Sequence, residues 1–261
     1  MIKRNLAFIL CLFIISSLFS QKKEFCGKIE YKFTTNFSYK YVENYELTFN
    51  NKESFCEEIG IKKVGNNKSD EQKEEGLQQN FISGRKNTTS KYFYNNRRDF
   101  YFRDNYLDEV LLVKEKPLNA VWKLHAETKK MSNFLCKKAT IYFRGRNYTA
   151  WYAPKIPVPF GPWKLRGLPG VILEFYDAEK VFHVVAKRVQ LGSSNCSINI
   201  DKKGLEKAIS ISSYLLRKEE LIDIMFAELS AKRPKGTKPI MVRDKDCNDC
   251  KEEIEKFNEG K

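Results

Sequence analysis

The stretch "GPWKLRGLPGVILEFYD", Gly161–Asp177, sets two Gly/Pro turns directly before a run built like a strand. It continues a segment already dense in proline, with Pro154, Pro157 and Pro159 upstream and Pro162 and Pro169 inside it. Proline has no N–H and is excluded from a central ladder, and it pushes the preceding residue toward extended backbone. Residues 153–162 therefore read as an extended, unpaired crossing anchored by Ile156, Val158 and Phe160. Gly161, Gly167 and Gly170 offer positions where a positive φ or a close backbone approach is cheap. Leu168-Pro169 between two glycines suits a tight turn that delivers the chain into a buried strand, with Val171, Leu173 and Phe175 on one side.

Upstream, the chain reads as strand after strand. "FCGKIEYKFTTNF", "YVENYELTF", "SFCEEIG", "KYFYNN", "DFYFRD", "EVLLVKE", "NAVWKLHA", "NFLCKKATIYFRG" and "NYTAWYA" alternate bulky with polar residues, the period-two signature of strands with one buried face. The breaks are short and rich in Asn, Asp, Gly and Arg, and no βαβ spacing occurs. Residues 60–80 are polar and lack an apolar period, which predicts a long flexible loop. After Asp177, "KVFHVVAKRV" is one more strand. "SYLLRKEELIDIMFAELSAK" then switches to helical period, with Leu215, Leu216, Ile222, Met225, Phe226 and Leu229 on one broad face. The fold class expected is mainly β: a single domain over 21–261, a curved antiparallel meander or half-barrel with a C-terminal amphipathic helix.

The N-terminus predicts a compartment. Lys3 and Arg4 precede an apolar stretch, Leu6 to Phe19, shorter than the roughly twenty residues a membrane span needs. This is the form of a secretory signal peptide over 1–20, cut after Ser20 to leave Gln21 first. Leu18 at the third position before the cut is not ideal, so the site can move by a residue or two. Cys11 lies inside the apolar core and no cysteine follows the cut, so no lipid anchor is expected, and no later run suits a membrane span. The net charge is +14, two of it carried by Lys3 and Arg4. Lysines are interleaved with acids, so they read as a solvated surface and no nucleic-acid partner is expected.

Six cysteines follow the cut: Cys26, Cys56, Cys136, Cys196, Cys247 and Cys250. An exported chain permits up to three disulfides among them, with fifteen full connectivities. Cys247 and Cys250 form a C-x-x-C pair, but Asp244, Asp246 and Asp249 oppose the thiolate a redox pair needs, and no second C-x-x-C completes a zinc set. Asp244, Asp246, Asn248 and Glu255 match positions one, three, five and twelve of a calcium loop, whose sixth position should be glycine. Here it is Asp249, and no metal or other cofactor is expected. The two histidines, His125 and His183, fall in strands without a sequence-adjacent partner. Serine-hydrolase, zinc-protease and phosphate-loop motifs are absent, so no catalytic residue is assigned. Sequons at Asn36, Asn67, Asn87, Asn147 and Asn195 read as chance.

The segments "VKEKPLNAVWKLHAETKKM", "CKKAT", "GRNYTAWYAPKIPVPFGPWK" and "GLPGVILEFYD", within about Val110 to Val189, together resemble the GLPGLI family, secreted proteins of Gram-negative bacteria named for that motif. Val171 stands where the motif has leucine. The resemblance implies export and an envelope setting, in the periplasm, at the outer-membrane periphery or outside the cell; it implies no reaction. The punctuated crossing then has two readings. It is a structural turn formed by Gly161, Gly167, Leu168, Pro169 and Gly170, or it is the lip of a groove where Trp151, Tyr152, Phe160 and Trp163 meet an apolar ligand or a protein partner, aromatic residues being strong anchors. The function expected is a non-catalytic envelope protein binding on its sheet face. The alternatives are an assembly accessory without a pocket, and an enzyme using carboxylates brought together in space.

Overall fold

The computed structural model describes residues 25–60, 89–107, 109–119, 121–192, 196–231 and 254–257. The expected signal segment, most of the predicted loop after Gly60, and Cys247 and Cys250 with the acids around them lie outside the described residues. Strands β1 (Gly27–Asn36), β2 (Lys40–Phe49), β3 (Ser54–Ile59), β4 (Tyr92–Asn95), β5 (Phe100–Tyr106) and β6 (Glu109–Glu115) form one meander. Strands β7 (Lys123–Met131), β8 (Phe134–Phe143), β9 (Arg146–Ala153), β10 (Val171–Asp177) and β11 (Phe182–Leu191) form a second. A short helix α1 (Lys202–Leu205), the two-residue strand β12 (Ile209–Ser210) and the long helix α2 (Ile211–Ala231) complete the described order.

The two meanders join into one twelve-stranded sheet, ordered β12-β6-β5-β4-β3-β2-β1-β11-β10-β9-β8-β7. Every pairing is antiparallel except β12 with β6. The seam is β1 against β11, running from Gly27 opposite Leu191 to Thr35 opposite Phe182 with a shift of register between Glu30 and Tyr31. The first strand of the described residues thus lies mid-sheet, which strand pattern alone does not show. Lys123–Met131 pairs where the sequence reads a strand over 119–126, because Trp122 turns away to donate its indole N–H to Arg166 O at 2.7 Å. As the outermost strand of its half, β7 is guarded by Lys123, Glu127, Lys129 and Lys130 and by an irregularity between Leu124 and Thr128, features that deter edge-to-edge pairing.

The sheet curls. Nine strand steps separate β6 from β8 in this order, which in a flat sheet would be roughly 40 Å at ~4.8 Å per strand. Yet Arg144, in the β8–β9 turn, hydrogen-bonds Glu115 at the end of β6. On the inner face, period two holds as read: Ile29, Tyr31 and Phe33 of β1 and Tyr45, Leu47 and Phe49 of β2 are all buried. β10 departs from it. A bulge between Ile172 and Glu174 breaks the alternation, and Val171 to Phe175 are buried without interruption.

Helix α2 differs from its expected face. Ser210 caps its first turn, accepting from Ser213 N at 3.0 Å. The residues it buries are Tyr214 and Leu221, while Leu216, Ile224 and Leu229 are exposed. The reason is docking against the sheet's edge rather than across its face. Tyr214 packs edge-on against Phe102 and donates to Asp104 Oδ2 at 2.7 Å, and Arg217 pairs with Glu109. A narrow contact buries a narrower stripe than a helix laid across a sheet.

Candidate functional site

The crossing between β9 and β10 is core, not rim. Ile156, Val158, Phe160, Trp163, Leu165 and Leu168 are buried in one cluster with the inner faces of β1, β2 and β8–β11. Each such side chain contributes about 1.5–3 kcal/mol on burial. Phe143, Tyr148, Phe175 and Phe182 surround the Trp163 ring at centroid distances of 5.2–6.0 Å. Tyr152 is buried as well. Three of the four aromatic residues expected at a groove lip are therefore corrected to core: the curled sheet's inner face is filled by the chain's own crossing, which occupies the place expected for an apolar ligand. Only Trp151 keeps part of its surface accessible.

The turn reading of the punctuation stands on geometry. Gly167 has φ +94°, a region other residues resist, and its N–H donates to Pro159 O at 2.9 Å. Gly170 is different: a Cβ there would lie 2.3 Å from Ala153 O, so close packing of two backbones demands glycine. Gly161 and Leu168 are buried, and Pro169 faces solvent. Val171 N to Ile156 O at 3.0 Å and Ile172 N to Phe160 O at 3.3 Å sew the crossing to the start of β10. Tyr31 reaches from β1 to donate to Ile172 O at 2.6 Å.

Lys164 carries a polar clasp across the curl. Its ammonium, almost wholly buried, donates to Glu115 Oε2 at 2.8 Å and Glu255 Oε2 at 2.7 Å, and lies 4.4 Å from the Phe102 ring centroid. Arg144 pairs with Glu115 and approaches Glu255 Oε1 at 3.6 Å. Burial pushes the Glu255 carboxyl above its usual range, while the charge of Lys164 and its hydrogen bond pull the other way. The tail segment is thereby held: Lys256 N donates to Arg144 O at 3.0 Å and Arg146 Nε to Ile254 O at 2.9 Å. Arg146 also pairs with the buried Asp177 at 3.0 Å. Glu115, Lys164 and Glu255 are far apart in sequence, and no local signal marks them as partners. Two nearby acids do meet here, as the enzyme alternative requires, but each is held by cations, which fits a buried ion network better than an acid–base pair.

The outer face of β7–β11 holds the accessible constellation. Trp151 lies opposite both Lys138 and Glu174 in the ladders. The Glu174 carboxylate accepts from Lys129 and contacts His183 Nε2 at 3.0 Å. Lys129 Nζ also lies 5.7 Å from the Trp151 ring centroid, within reach of a cation–π attraction. Tyr176 meets the His183 ring edge-on at 5.8 Å. Burial works against ionisation of Glu174, but the hydrogen bonds from His183 and Lys129 and the Lys129 charge outweigh it and hold the carboxyl below its usual range. His125 contacts Thr140 Oγ1 at 2.8 Å and Glu127 at 4.0 Å. Glu174 was missed as a functional candidate because its run reads as continuous buried strand; the one signal was an acid inside that run.

The cysteines divide. Cys26 and Cys196 form a disulfide. Cys56 and Cys136, expected as disulfide candidates, are free and buried, a correction with a physical basis: each sits inside a strand, packed in the core cluster. Burial pushes both thiols up, Cys136 to about 11, which makes them inert.

These features define a mainly β protein: a twelve-stranded, mostly antiparallel sheet with a helix after it, filled from inside by a Pro/Gly-rich crossing. Residues 144–174, which take in β9, the crossing and the start of β10, match a family model described as a protein of unknown function (Porph_ging). No curated protein matches the sequence. Two solved structures are similar, described as structures of PNGF-II in space groups P21 and C2. The first has a TM-score of 0.47 and 15% identity over 73% of this chain and 32% of that one. The second has 0.45 and 14%, over 70% and 30%. This chain thus spans about a third of the length of the PNGF-II chains.

Proposed function

We propose that the protein is an exported, non-catalytic binding module of the bacterial envelope, which engages a protein partner through the outer face of β7–β11 with Trp151 at its centre. The observation that carries this reading is an asymmetry of cover. The inner face is filled by the crossing. The outer face of the β3–β6 region is covered by Ile198, Ile200, Leu205 and Ala208, which pack against Phe55, Tyr92, Tyr94, Tyr101 and Leu112. Trp151, Lys129, Glu174 and His183 have no such segment over them among the described residues. A partly accessible tryptophan ringed by fixed charges is the composition of an interface anchor.

The state of Glu174 supports the non-catalytic part of this reading. A general base works best with a pKa near the operating pH, and Glu174 is driven away from it. Export is supported by the basic-then-apolar start of the chain and by the Cys26–Cys196 bridge, a bond typical of oxidising compartments. Mass spectrometry of protein from the native envelope should give a mature start at or near Gln21; an intact Met1 would reverse the assignment. For the interface, a photo-crosslinking residue at Lys138 should give a discrete protein adduct in native cells, lost on Trp151→Ala, while one at the exposed Tyr39 gives none. Equal crosslinking from both positions, or an adduct indifferent to Trp151→Ala, would overturn the interface.

A further inference from the structure

A second site, built from other strands, lies where two hairpin turns and α1 converge around a cleft of about 540 Å³. The two turns have the same construction. In "NNKE", Asn50 Oδ1 accepts from Lys52 N at 2.8 Å and Glu53 N at 3.0 Å, and Asn50 N donates to Glu53 O at 3.0 Å. In "NRRD", Asn96 Oδ1 accepts from Arg98 N at 3.1 Å and Asp99 N at 2.8 Å, and Asn96 N donates to Asp99 O at 3.2 Å. Arg97 ties one turn to the other through Asn51 O. Each turn therefore presents a cation, Lys52 or Arg98, at its third position, and both line the cleft.

The third wall is α1. It follows the Cys26–Cys196 bridge and is pinned by Leu205 in the cluster of Tyr92, Tyr94 and Tyr101, which brings Lys202 to the same opening. The floor is the buried pair Tyr94 and Tyr101, with ring centroids 6.1 Å apart. Lys114 beside it is already committed, 2.9 Å from Asp99 and over the Tyr101 ring. Of the two carboxylates at the cleft, Glu53 is engaged by the Tyr94 hydroxyl at 2.5 Å; Glu206 is the other. Lys52, Arg98 and Lys202 make no ion pair among the described residues. The cleft lining carries Lys52, Arg98, Lys114 and Lys202 against Glu53 and Glu206, a net positive balance that favours a bound oxyanion. Guanidinium and ammonium groups together match the tetrahedral, multiply charged form of such a group, and the volume is that of a small-molecule site rather than of a lone ion.

We infer that this cleft binds a ligand bearing a phosphoryl or sulfate group, carried by a small molecule or by a lipid headgroup, with Arg98, Lys52 and Lys202 as its contacts. The inference is independent of the Trp151 face.

The test uses inorganic phosphate, pyrophosphate and vesicles of phosphatidylcholine with or without phosphatidylglycerol. The protein is compared with R98Q/K202Q and with the charge-matched control K155Q/K187Q, whose residues lie elsewhere on the surface. At constant ionic strength, pyrophosphate or phosphate should raise the thermal midpoint, as any ligand of the folded state does. R98Q/K202Q should weaken the apparent affinity at least ten-fold while K155Q/K187Q leaves it unchanged. Binding of phosphatidylglycerol vesicles alone, lost in R98Q/K202Q, supports the site and assigns the group to a lipid headgroup. Equal losses in the two double variants mean net charge without a site, and no binding of any probe means no site; either outcome overturns the inference.

Discussion

Replacing Lys164 with methionine should destabilise the protein in a way that acid repairs. The side chain keeps its volume and apolar stem but loses the ammonium that holds Glu115 and Glu255 at 2.8 and 2.7 Å. Both carboxylates are largely buried, and among the described residues Arg144 alone remains to offset them. Removing one partner of a buried ionic network costs about 3–5 kcal/mol, because the orphaned charge stays desolvated. The pH dependence has a definite sign. Burial already raises the Glu255 pKa in the folded state, and loss of the lysine raises it further. A group with a raised folded-state pKa favours the folded state below its unfolded pKa, and that contribution is lost as pH rises through the folded value. The deficit of Lys164→Met should therefore be greatest near neutral pH and shrink steadily on acidification toward the ordinary carboxylate range. Urea unfolding at several pH values measures it, with the slope on denaturant checked for constancy. A triple variant, Lys164→Met with Glu115→Gln and Glu255→Gln, removes the orphaned acids and should recover most of the loss at neutral pH. A deficit below about 1 kcal/mol at neutral pH, the scale of an exposed pair, or one that grows with acid, refutes the clasp as a buried network.

Other outcomes follow from the same packing. Gly167→Ala should cost about 1–2 kcal/mol from its positive φ alone, with Gly167→Asn milder, whereas Gly170→Ala should cost about 1–3 kcal/mol or more by overlap with Ala153 O and gain nothing from asparagine; denaturant melts of the four proteins decide this. Trp163→Ala should lose about 3–5 kcal/mol as a core truncation, while Trp151→Ala leaves the melt nearly unchanged. Thiol titration should find Cys56 and Cys136 unreactive in the folded protein, and reducing the Cys26–Cys196 bridge, which closes a loop with a sequence separation of 170, should cost about 5 kcal/mol on the chain-entropy account. Glu174→Gln should flatten the acid limb of the stability profile, because a lowered carboxyl pKa supplies stability above its unfolded value that is lost as pH falls through the folded one.

The strands were legible because their chemistry is local. Alternation in "KIEYKF" places Ile29, Tyr31 and Phe33 on one face whatever they pack against, and the structure has them there. The turn at Gly167 was legible for the same reason, since backbone preference acts within a few residues. What sequence could not settle was destination. Phe160 and Trp163 look alike as interface anchors and as core, and only the curl of the sheet around the crossing decides between them. The seam of β1 with β11 and the meeting of Glu115, Lys164 and Glu255 join residues with no shared period. Helix α2 had the right length and the wrong face, because its burial depends on how much sheet it meets.

The position of β1 has a further consequence in time. When the chain emerges N-terminus first, the first meander can pair from β1 to β6 as it appears, but the other edge of β1 waits for β11, and Tyr31 waits for a carbonyl 141 residues later. That interval lasts as long as the 141 intervening residues take to emerge. Throughout it a long central strand stands as an open edge, its aromatic face bare, with pairing groups that any neighbouring nascent chain can occupy. The same topology that places β1 at the heart of the finished sheet makes it the segment most in need of shielding while the chain is still emerging.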